Sequence, residues 1–450
     1  MFIDFLINVF EKNQNEDAII WKNRNFKYKW LLERISFWQK NLNANGLKAG
    51  TVTILKADFS PNAIALFLAL IEQSCILVPL TNAVESKMHE FMQIAQGEFL
   101  ISIDKNDEFE LKKLTGSASH KFYRKLRKIN HPGLVLFSSG STGKSKAAVH
   151  DFIGLLKKFE SPRHKLKAIT FLLYDHIGGI NTLLYMLSNA GCIVSIDDRT
   201  PDNILSAIER HKVELLPTSP SFVNLILLSE AYKRYDISSL KTISYGTEPM
   251  PAITLKRFHD LFPEIRLQQT YGLSELGILR SKSEGSDSLW FKIGGEGYQT
   301  RIIDGVLQIK AKSAMLGYIN APSPFTEDGW FNTGDSVEVM GEYIKILGRK
   351  SEIINVGGEK VYPSEVENVI QGIDSVKEVT IYSEKNPILG EIVCARISLK
   401  NNEDAKRFKS QIRQYCTGKL ERYKIPVKVT ITKDKQFSNR FKKIRQKTYG

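Results

Sequence analysis

Long apolar runs are missing from this chain of 450 residues; none approaches the roughly 20 residues that span a bilayer. That excludes a helical membrane-spanning protein. A secretory leader is missing as well. Met1-Phe2-Ile3-Asp4-Phe5-Leu6-Ile7-Asn8-Val9-Phe10 is apolar enough, but it has no basic start and no small-residue cleavage site, and Asp4 interrupts it. An amphipathic first helix is the expectation. Cysteine is scarce: Cys75, Cys192, Cys394 and Cys416 are scattered without metal-ligand spacing, so no zinc site is expected. Cys75 and Cys192 fall in apolar runs, where buried thiols are the rule, and a reducing cytoplasm fits them. Repeats and low-complexity linkers are absent too. Acidic residues are outnumbered, 49 against 63 Lys and Arg, which leaves a net charge of +14. The excess lies in Lys112–Lys128 and in a tail where Lys433, Lys435, Arg440, Lys442, Lys443, Arg445 and Lys447 face only Asp434. It points to polyanionic partners or to solvated lysine faces. Nucleic acid is not expected, because no aromatic-interleaved basic sheet or recognition helix is visible.

What is present is the texture of a globular protein, 42% hydrophobic and 25% charged, in a chain long enough for two or more domains. Residues 52–56, 75–79, 134–138, 168–173 and 191–196 read as short buried strands. Helical patterns at Pro61–Glu72, Ile180–Ser188 and Asp202–His211 lie between them. The alternation predicts an α/β architecture with largely parallel sheets. From about Trp290 glycine-punctuated short strands predict a small β-rich, barrel-like subdomain, ending in a hairpin around Gly341. Beyond Gly348-Arg349-Lys350 about one hundred residues carry helix, strand, helix and strand signals, an α+β unit.

The most informative stretch is Leu134-Val135-Leu136-Phe137-Ser138-Ser139-Gly140-Ser141-Thr142-Gly143-Lys144-Ser145-Lys146. A β-forming run stops at a loop of glycines, hydroxyls and two lysines, which suits a polyphosphate. Gly143-Lys144-Ser145 matches the end of a P-loop, but the first glycine of that pattern would fall at Ser138, so the spacing fails. A solvated turn after a buried strand is the other reading of the loop taken alone.

Further segments resemble, in order, one family. Ser138–Lys146 resembles the [ST]-[ST]-G-[ST]-T-G-x-P-K phosphate loop of the acyl-adenylate-forming, or AMP-binding, enzymes: acyl-CoA synthetases, peptide-synthetase adenylation domains and luciferases. Tyr245-Gly246-Thr247-Glu248-Pro249 resembles their adenine-side turn, Thr270-Tyr271-Gly272-Leu273-Ser274-Glu275 their Y-G-x-[ST]-E motif, and Trp330-Phe331-Asn332-Thr333-Gly334-Asp335 their T-G-D motif. Gly348-Arg349-Lys350 and Gly357-Gly358-Glu359-Lys360-Val361-Tyr362-Pro363-Ser364-Glu365-Val366-Glu367 resemble the domain junction and the start of their C-terminal domain. The match runs from about Asp17 to Arg445.

The resemblance implies a large α/β N-terminal domain, residues 1–349, for AMP and the acyl group, and a mobile α+β domain, residues 350–450, hinged near Lys350. It implies ATP-dependent activation of a carboxylic acid, then transfer to CoA or to the phosphopantetheine of an acidic acyl carrier protein. Because the sequence stops at Gly450 with no fused carrier, the acceptor is expected to be a separate molecule. Ser138, Ser139, Gly140, Ser141, Thr142, Gly143 and Lys146 would hold phosphates; Gly246, Thr247, Glu248, Tyr271 and Ser274 would border the nucleotide. The chemistry agrees residue by residue. Glu275 is a hard oxygen ligand suited to Mg²⁺. Asp335 accepts ribose hydroxyls, with Arg349 beside it. Gly357 and Gly358 would line the thiol's path.

Two positions depart from the family pattern. Ser145 replaces the usual proline. In Ser438-Asn439-Arg440-Phe441-Lys442-Lys443-Ile444-Arg445 the expected T-x-x-G-K-x-x-R glycine is Phe441, while lysine and arginine keep a spacing that selects Lys442 over Lys443 as the adenylation lysine. The acyl pocket is open to two readings. His176 occupies the position of acyl-CoA and aryl-CoA ligases, and Asp175 the position of the aspartate with which amino-acid-activating domains pair an α-amino group. Gly272 and Leu276 would line the same cavity, together with Pro217–Phe222. An amino-acid adenylation enzyme, a non-catalytic binding protein on the same fold and a P-loop NTPase are the alternatives.

Overall fold

The computed structural model describes residues 2–139, 145–400, 405–438 and 443–445. Two seven-stranded sheets dominate it. The first runs, in spatial order, Gly317–Tyr318, Ser145–Asp151, Gly133–Ser139, Ile76–Leu80, Val52–Lys56, Phe99–Ile103, Phe109–Lys113. Its central pairs are parallel and its edge pairs antiparallel. The second runs Arg266–Gln269, Thr242–Tyr245, Leu215–Thr218, Lys167–Ile169, Cys192–Ser195, Asp17–Trp21, Arg24–Lys27, parallel except at its last pair.

Between the sheets lies one core. Ala18 and Ile193 of the second sheet share it with Leu55, Leu77 and Leu136 of the first, and helices Pro61–Glu72 and Ile177–Ser188 pass through it. Helix Pro61–Glu72 is buried from Pro61 to Ile71, which explains why its sequence is apolar on every side. Ser60 caps it through the Ala63 N–H and Pro61 occupies its first turn. The first helix, Asp4–Lys12, is amphipathic as expected, with Leu6 and Phe10 buried. All four cysteines are free and buried.

A six-stranded antiparallel sheet spanning residues 281–349 forms the β-rich part. Its longest strands, Phe331–Met340 and Tyr343–Arg349, are the hairpin predicted around Gly341. Past Arg349 the chain makes a short turn at Lys350–Glu352 and builds a separate core of Ile354, Val366, Ile370, Ile381, Ala395, Ile397 and Phe408. That unit opens with a hairpin, Ile354–Val356 and Glu359–Val361, ahead of helix Pro363–Ile370, rather than with a helix. Strand Lys167–Ile169 is also shorter than predicted: Phe171 and Leu173 are buried but unpaired as strand. No helix among the described residues is long and apolar enough to cross a membrane.

Candidate active site

Strands Gly133–Ser139 and Ser145–Asp151 are antiparallel neighbours in register Ser138 to Lys146 and Ser139 to Ser145. The hydroxyl- and glycine-rich loop therefore joins two hairpin strands. A P-loop must feed a helix N-terminus, and here the chain re-enters the sheet, so the P-loop alternative is overturned. Gly140, Ser141, Thr142 and Gly143 lie outside the described residues, as does Lys442.

Glu275 sits at the turn of a small hairpin, Gly272–Leu273 with Gly277–Ile278. Three bonds fix that turn: Met315 N–H to Glu275 C=O (2.8 Å), Ser313 Oγ to Leu276 C=O (2.6 Å), and His150 Nε2 to Ser274 C=O (2.6 Å). A carbonyl only accepts, so Nε2 carries the proton, and burial lowers the His150 pKa and keeps the ring neutral. The Glu275 side chain is 8% exposed. Its Oε1 accepts from Tyr318 Oη at 2.6 Å and from Ser138 Oγ at 3.3 Å, whereas Oε2 has no hydrogen-bond partner among the described residues. Lys146 Nζ lies 5.4 Å from the centre of the Tyr318 ring. Ser138 and Tyr318 thus share one oxygen of Glu275, and Lys146 stands over the Tyr318 ring. No cluster of three or more His, Cys, Asp or Glu suited to a metal exists among the described residues. A single carboxylate fits Mg²⁺ that takes its other ligands from phosphates and water.

A second carboxylate is arranged in parallel. Tyr271 Oη donates to Asp335 Oδ2 at 2.6 Å, and Arg349 Nε stands 3.4 Å from Oδ1 across the strand pair. Thr333 Oγ1 accepts the Asp335 N–H and donates to the Leu307 carbonyl, which sets the turn. Burial pushes the Asp335 pKa above its ordinary value, against the pull of Arg349 and Tyr271. Burial also raises the pKa of Tyr271 and Tyr318, reinforced by Asp335 and Glu275 respectively, so both phenols stay protonated and donate.

The turn expected on the adenine side follows strand Thr242–Tyr245. A Cβ on Gly246 would meet Thr270 Oγ1 at 2.7 Å and the Thr270 carbonyl at 2.8 Å, so only glycine fits there. Thr247 holds a left-handed backbone (φ 77°), and its buried Oγ1 is without a hydrogen-bond partner among the described residues, as is that of Thr218. Both hydroxyls lie at the ends of adjacent strands, where a buried polar group calls for a partner. Glu248 is bonded on both sides: Oε1 accepts from Ser221 N–H (2.8 Å) and Ser221 Oγ, and Oε2 accepts from Lys443 N–H (3.1 Å).

The residues expected at the acyl pocket are tightly packed. Asp175, 4% exposed, accepts from Thr81 Oγ1 at 3.1 Å. His176 caps helix Ile177–Ser188 through Nδ1, which accepts the Gly178 N–H. Leu276 is fully buried beside Tyr271 and Phe291, and a Cβ on Gly272 would meet Ile278 Cδ1 at 2.5 Å. Gly357 and Gly358 form the turn of the Ile354–Val361 hairpin with positive φ (61° and 96°); Gly357 N–H bonds the Leu389 carbonyl and Gly358 N–H bonds Asn355 Oδ1. Those contacts stay within the C-terminal unit. The structure therefore brings Ser138, Lys146 and Glu275 together, and Tyr271, Asp335 and Arg349 together, but not the glycine pair. Sequence reasoning missed Tyr318, Thr81 and His150, none of which stands in a recognisable motif.

Comparisons with known proteins agree with this geometry. A family model described as AMP-binding enzyme matches residues 8–294, and one described as AMP-binding enzyme C-terminal domain matches residues 365–442. The chain is 26% identical over 319 residues to a long-chain-fatty-acid–CoA ligase of Mycobacterium tuberculosis, covering 66% of this chain and 62% of that protein. It is 27% identical over 325 residues to an indoleacetate–CoA ligase of Aromatoleum aromaticum, covering 66% and 63%. The matched part is thus less than two thirds of those relatives' length. Among solved structures, an anthranilate CoA ligase in complex with anthranoyl-AMP superposes with a TM-score of 0.81 at 18% identity, over 96% of this chain and 93% of that one. The o-succinylbenzoate CoA synthetase of Bacillus subtilis with its acyl-adenylate intermediate gives 0.77 at 18%, over 99% and 98%. With the first family model covering more than half of its length and the second following in order, the chain belongs to the AMP-binding enzymes.

Proposed function

We propose that the protein joins a carboxylic acid to AMP, releasing pyrophosphate, and then passes the acyl group to a thiol. The observation that carries this reading is the pair of buried carboxylates, Glu275 and Asp335, each received by a tyrosine hydroxyl at 2.6 Å. In the first step a carboxylate oxygen of the acid bonds to the α-phosphorus of ATP, and the bond from that phosphorus to the bridging oxygen breaks. In the second a thiolate sulfur bonds to the acyl carbon and AMP leaves.

Each group then has a task. Ser138 and Lys146 bind phosphate oxygens and offset the charge of departing pyrophosphate. Asp335 takes the ribose hydroxyls beside Arg349, and Thr247 and Thr218 offer their hydroxyls to the nucleotide. Mg²⁺ held through Glu275 would supply further neutralisation of phosphate charge. Lys442 would place its ammonium between the attacking carboxylate and the α-phosphate. Lys443 is a poorer candidate for that task, because its Nζ is bonded to Glu367 at 2.9 Å. CoA is the favoured acceptor, supported by the names of the relatives, with a carrier protein's phosphopantetheine as the second. The Thr81–Asp175 bond favours an acid without an α-amino group, since it gives Asp175 a partner within the fold. The division at Lys350 into a fixed domain and a mobile one is part of the same proposal.

The test is ATP–pyrophosphate exchange across a panel of fatty, aryl and amino acids, with CoA or holo-carrier protein added afterwards. Exchange with one class of acid and thioester formation on addition of CoA are expected. Hydrolysis of ATP independent of any acid would sink the reading. Lys442→Ala should remove exchange while thioester formation from supplied acyl-adenylate survives; full exchange in that variant would reject Lys442.

A further inference from the structure

The two domains meet at a carboxylate of the turn that resembles the adenine-side motif. Glu248 stands in the turn after strand Thr242–Tyr245, and its two oxygens face opposite ways. Oε1 is held inside the large domain by the N–H and hydroxyl of Ser221, at the start of helix Pro220–Ser229. Oε2 accepts the backbone N–H of Lys443, the residue that follows Lys442 in the chain.

The C-terminal unit grips the same short segment from its own side. Lys443 Nζ and Arg445 Nη2 both bond Glu367 Oε2, at 2.9 and 3.0 Å, and Arg445 Nη1 lies 3.3 Å from Glu352. Glu367 is buried and also accepts the Ile381 N–H. Phe437 forms a bridge with Lys443, and Ile444 N–H bonds the Gln436 carbonyl at 2.8 Å. Gln436 and Phe437 are therefore paired with Lys443 and Ile444, and Glu248 ties Lys443 to the turn after strand Thr242–Tyr245.

We infer that Glu248 is a positioning residue for the adenylation half-reaction: its Oε2, bonded to the Lys443 N–H, fixes the C-terminal unit against the turn after strand Thr242–Tyr245. The inference rests on the proposed acyl-adenylate chemistry. A backbone N–H is a sound anchor for this purpose, because it sets the position of the chain without engaging a side chain of the segment. A carboxylate acceptor gives the stronger, charge-assisted kind of hydrogen bond. The bond must break whenever the C-terminal unit leaves this position, so its effect belongs to one half-reaction only.

The test compares Glu248→Ala, Glu248→Gln and wild type in two assays: pyrophosphate exchange, and thioester formation from CoA and supplied acyl-adenylate. Glu248→Ala is expected to lower the kcat of exchange by roughly ten-fold or more, the effect of one hydrogen bond to a charged group. The KM for ATP should move less than the kcat, and the ratio of exchange to thioester formation should fall. Glu248→Gln has a single oxygen that can accept from either Ser221 or Lys443 but not both, so it should recover at most part of the exchange rate; it also serves as the folded control. Equal losses in both half-reactions, or a raised ATP KM at unchanged kcat, would overturn the inference. Wild-type protein that exchanges pyrophosphate with no acid would refute the adenylation reading itself, a result distinct from failure of the latch.

Discussion

Glu275 and Asp335 show how little of a buried carboxylate's behaviour resides in the group itself. Both are more than nine-tenths buried, and each is made tolerable by a neutral phenol that donates at 2.6 Å. Tyr318→Phe would leave Glu275 with Ser138 alone on Oε1, at 3.3 Å. Removing a hydrogen bond to a charged acceptor should cut kcat/KM for exchange by about 10- to 100-fold with little change in fold, measurable by exchange kinetics beside a thermal melt. Lys158 makes a second residue-scale case. Its ammonium donates to Asn181 Oδ1 and to the Ile278 carbonyl, with no ion pair among the described residues. Desolvation, with Arg280 and Arg163 nearby, pulls its pKa down to about 7. An unfolded lysine titrates near its ordinary value of about 10.4, so between the two values the unfolded chain holds a proton that the native protein lacks. Stability contributed through this group therefore rises with pH across that window and is lost as pH falls toward 7. Lys158→Met should flatten the rise in melting temperature between pH 7 and 10; an unchanged slope would contradict the assignment.

At the scale of elements, what was legible depended on whether a signal was local. The Gly272–Ile278 hairpin announces itself through Tyr271-Gly272 and Glu275, and the T-G-D turn through Gly334, so both carboxylates are readable from the sequence. Tyr318 is not. It reaches Glu275 because strand Gly317–Tyr318 pairs with Ser145–Asp151 in register Tyr318 to Ala148, and nothing near Tyr318 in the chain encodes that pairing. The strand read at 168–173 stops at Ile169 because apolar character marks burial, and Phe171 and Leu173 satisfy it without pairing. The hairpin ahead of helix Pro363–Ile370 was unread because its strands have three residues each, too few for any period. Gly246 tests whether the nucleotide-side turn is as tight as its geometry states. Gly246→Ala sets a methyl group 2.8 Å from the Thr270 carbonyl, and backbone there cannot swing aside as a side chain would. A loss of roughly 1–3 kcal/mol in stability and a raised KM for ATP are expected, from denaturant melts and exchange kinetics. A variant with native KM would show that the turn is looser than this.

For the whole molecule the decisive quantity is the placement of the C-terminal unit. The alternation of strands and helices predicts the large α/β body, and two sheets enclosing apolar helices follow from it. The order of motifs places the domain junction at Gly348-Arg349-Lys350, but no local pattern says how the two units dock. In this structure they meet through Lys443 on Glu248, Asn368 on the Ala252 N–H and Asn224 on the Lys377 carbonyl. Lys350 opens the short 3₁₀ turn that leaves strand Tyr343–Arg349, a position whose φ proline shares. Arg349 just before it is extended (ψ 137°), which is what a following proline demands. Proline at 350 is therefore compatible with the present docking and resists a different one. If the C-terminal unit turns about Lys350 between the half-reactions, Lys350→Pro should retain pyrophosphate exchange and lose thioester formation by about ten-fold or more, because only the second step requires new backbone angles there. The assays are those that test Glu248, read in the opposite sense: Glu248→Ala weakens adenylation, Lys350→Pro weakens transfer. Loss of both half-reactions to the same extent in Lys350→Pro would mean that residue 350 supports the site by structure alone and that the acyl transfer proceeds from a single docking of the two units.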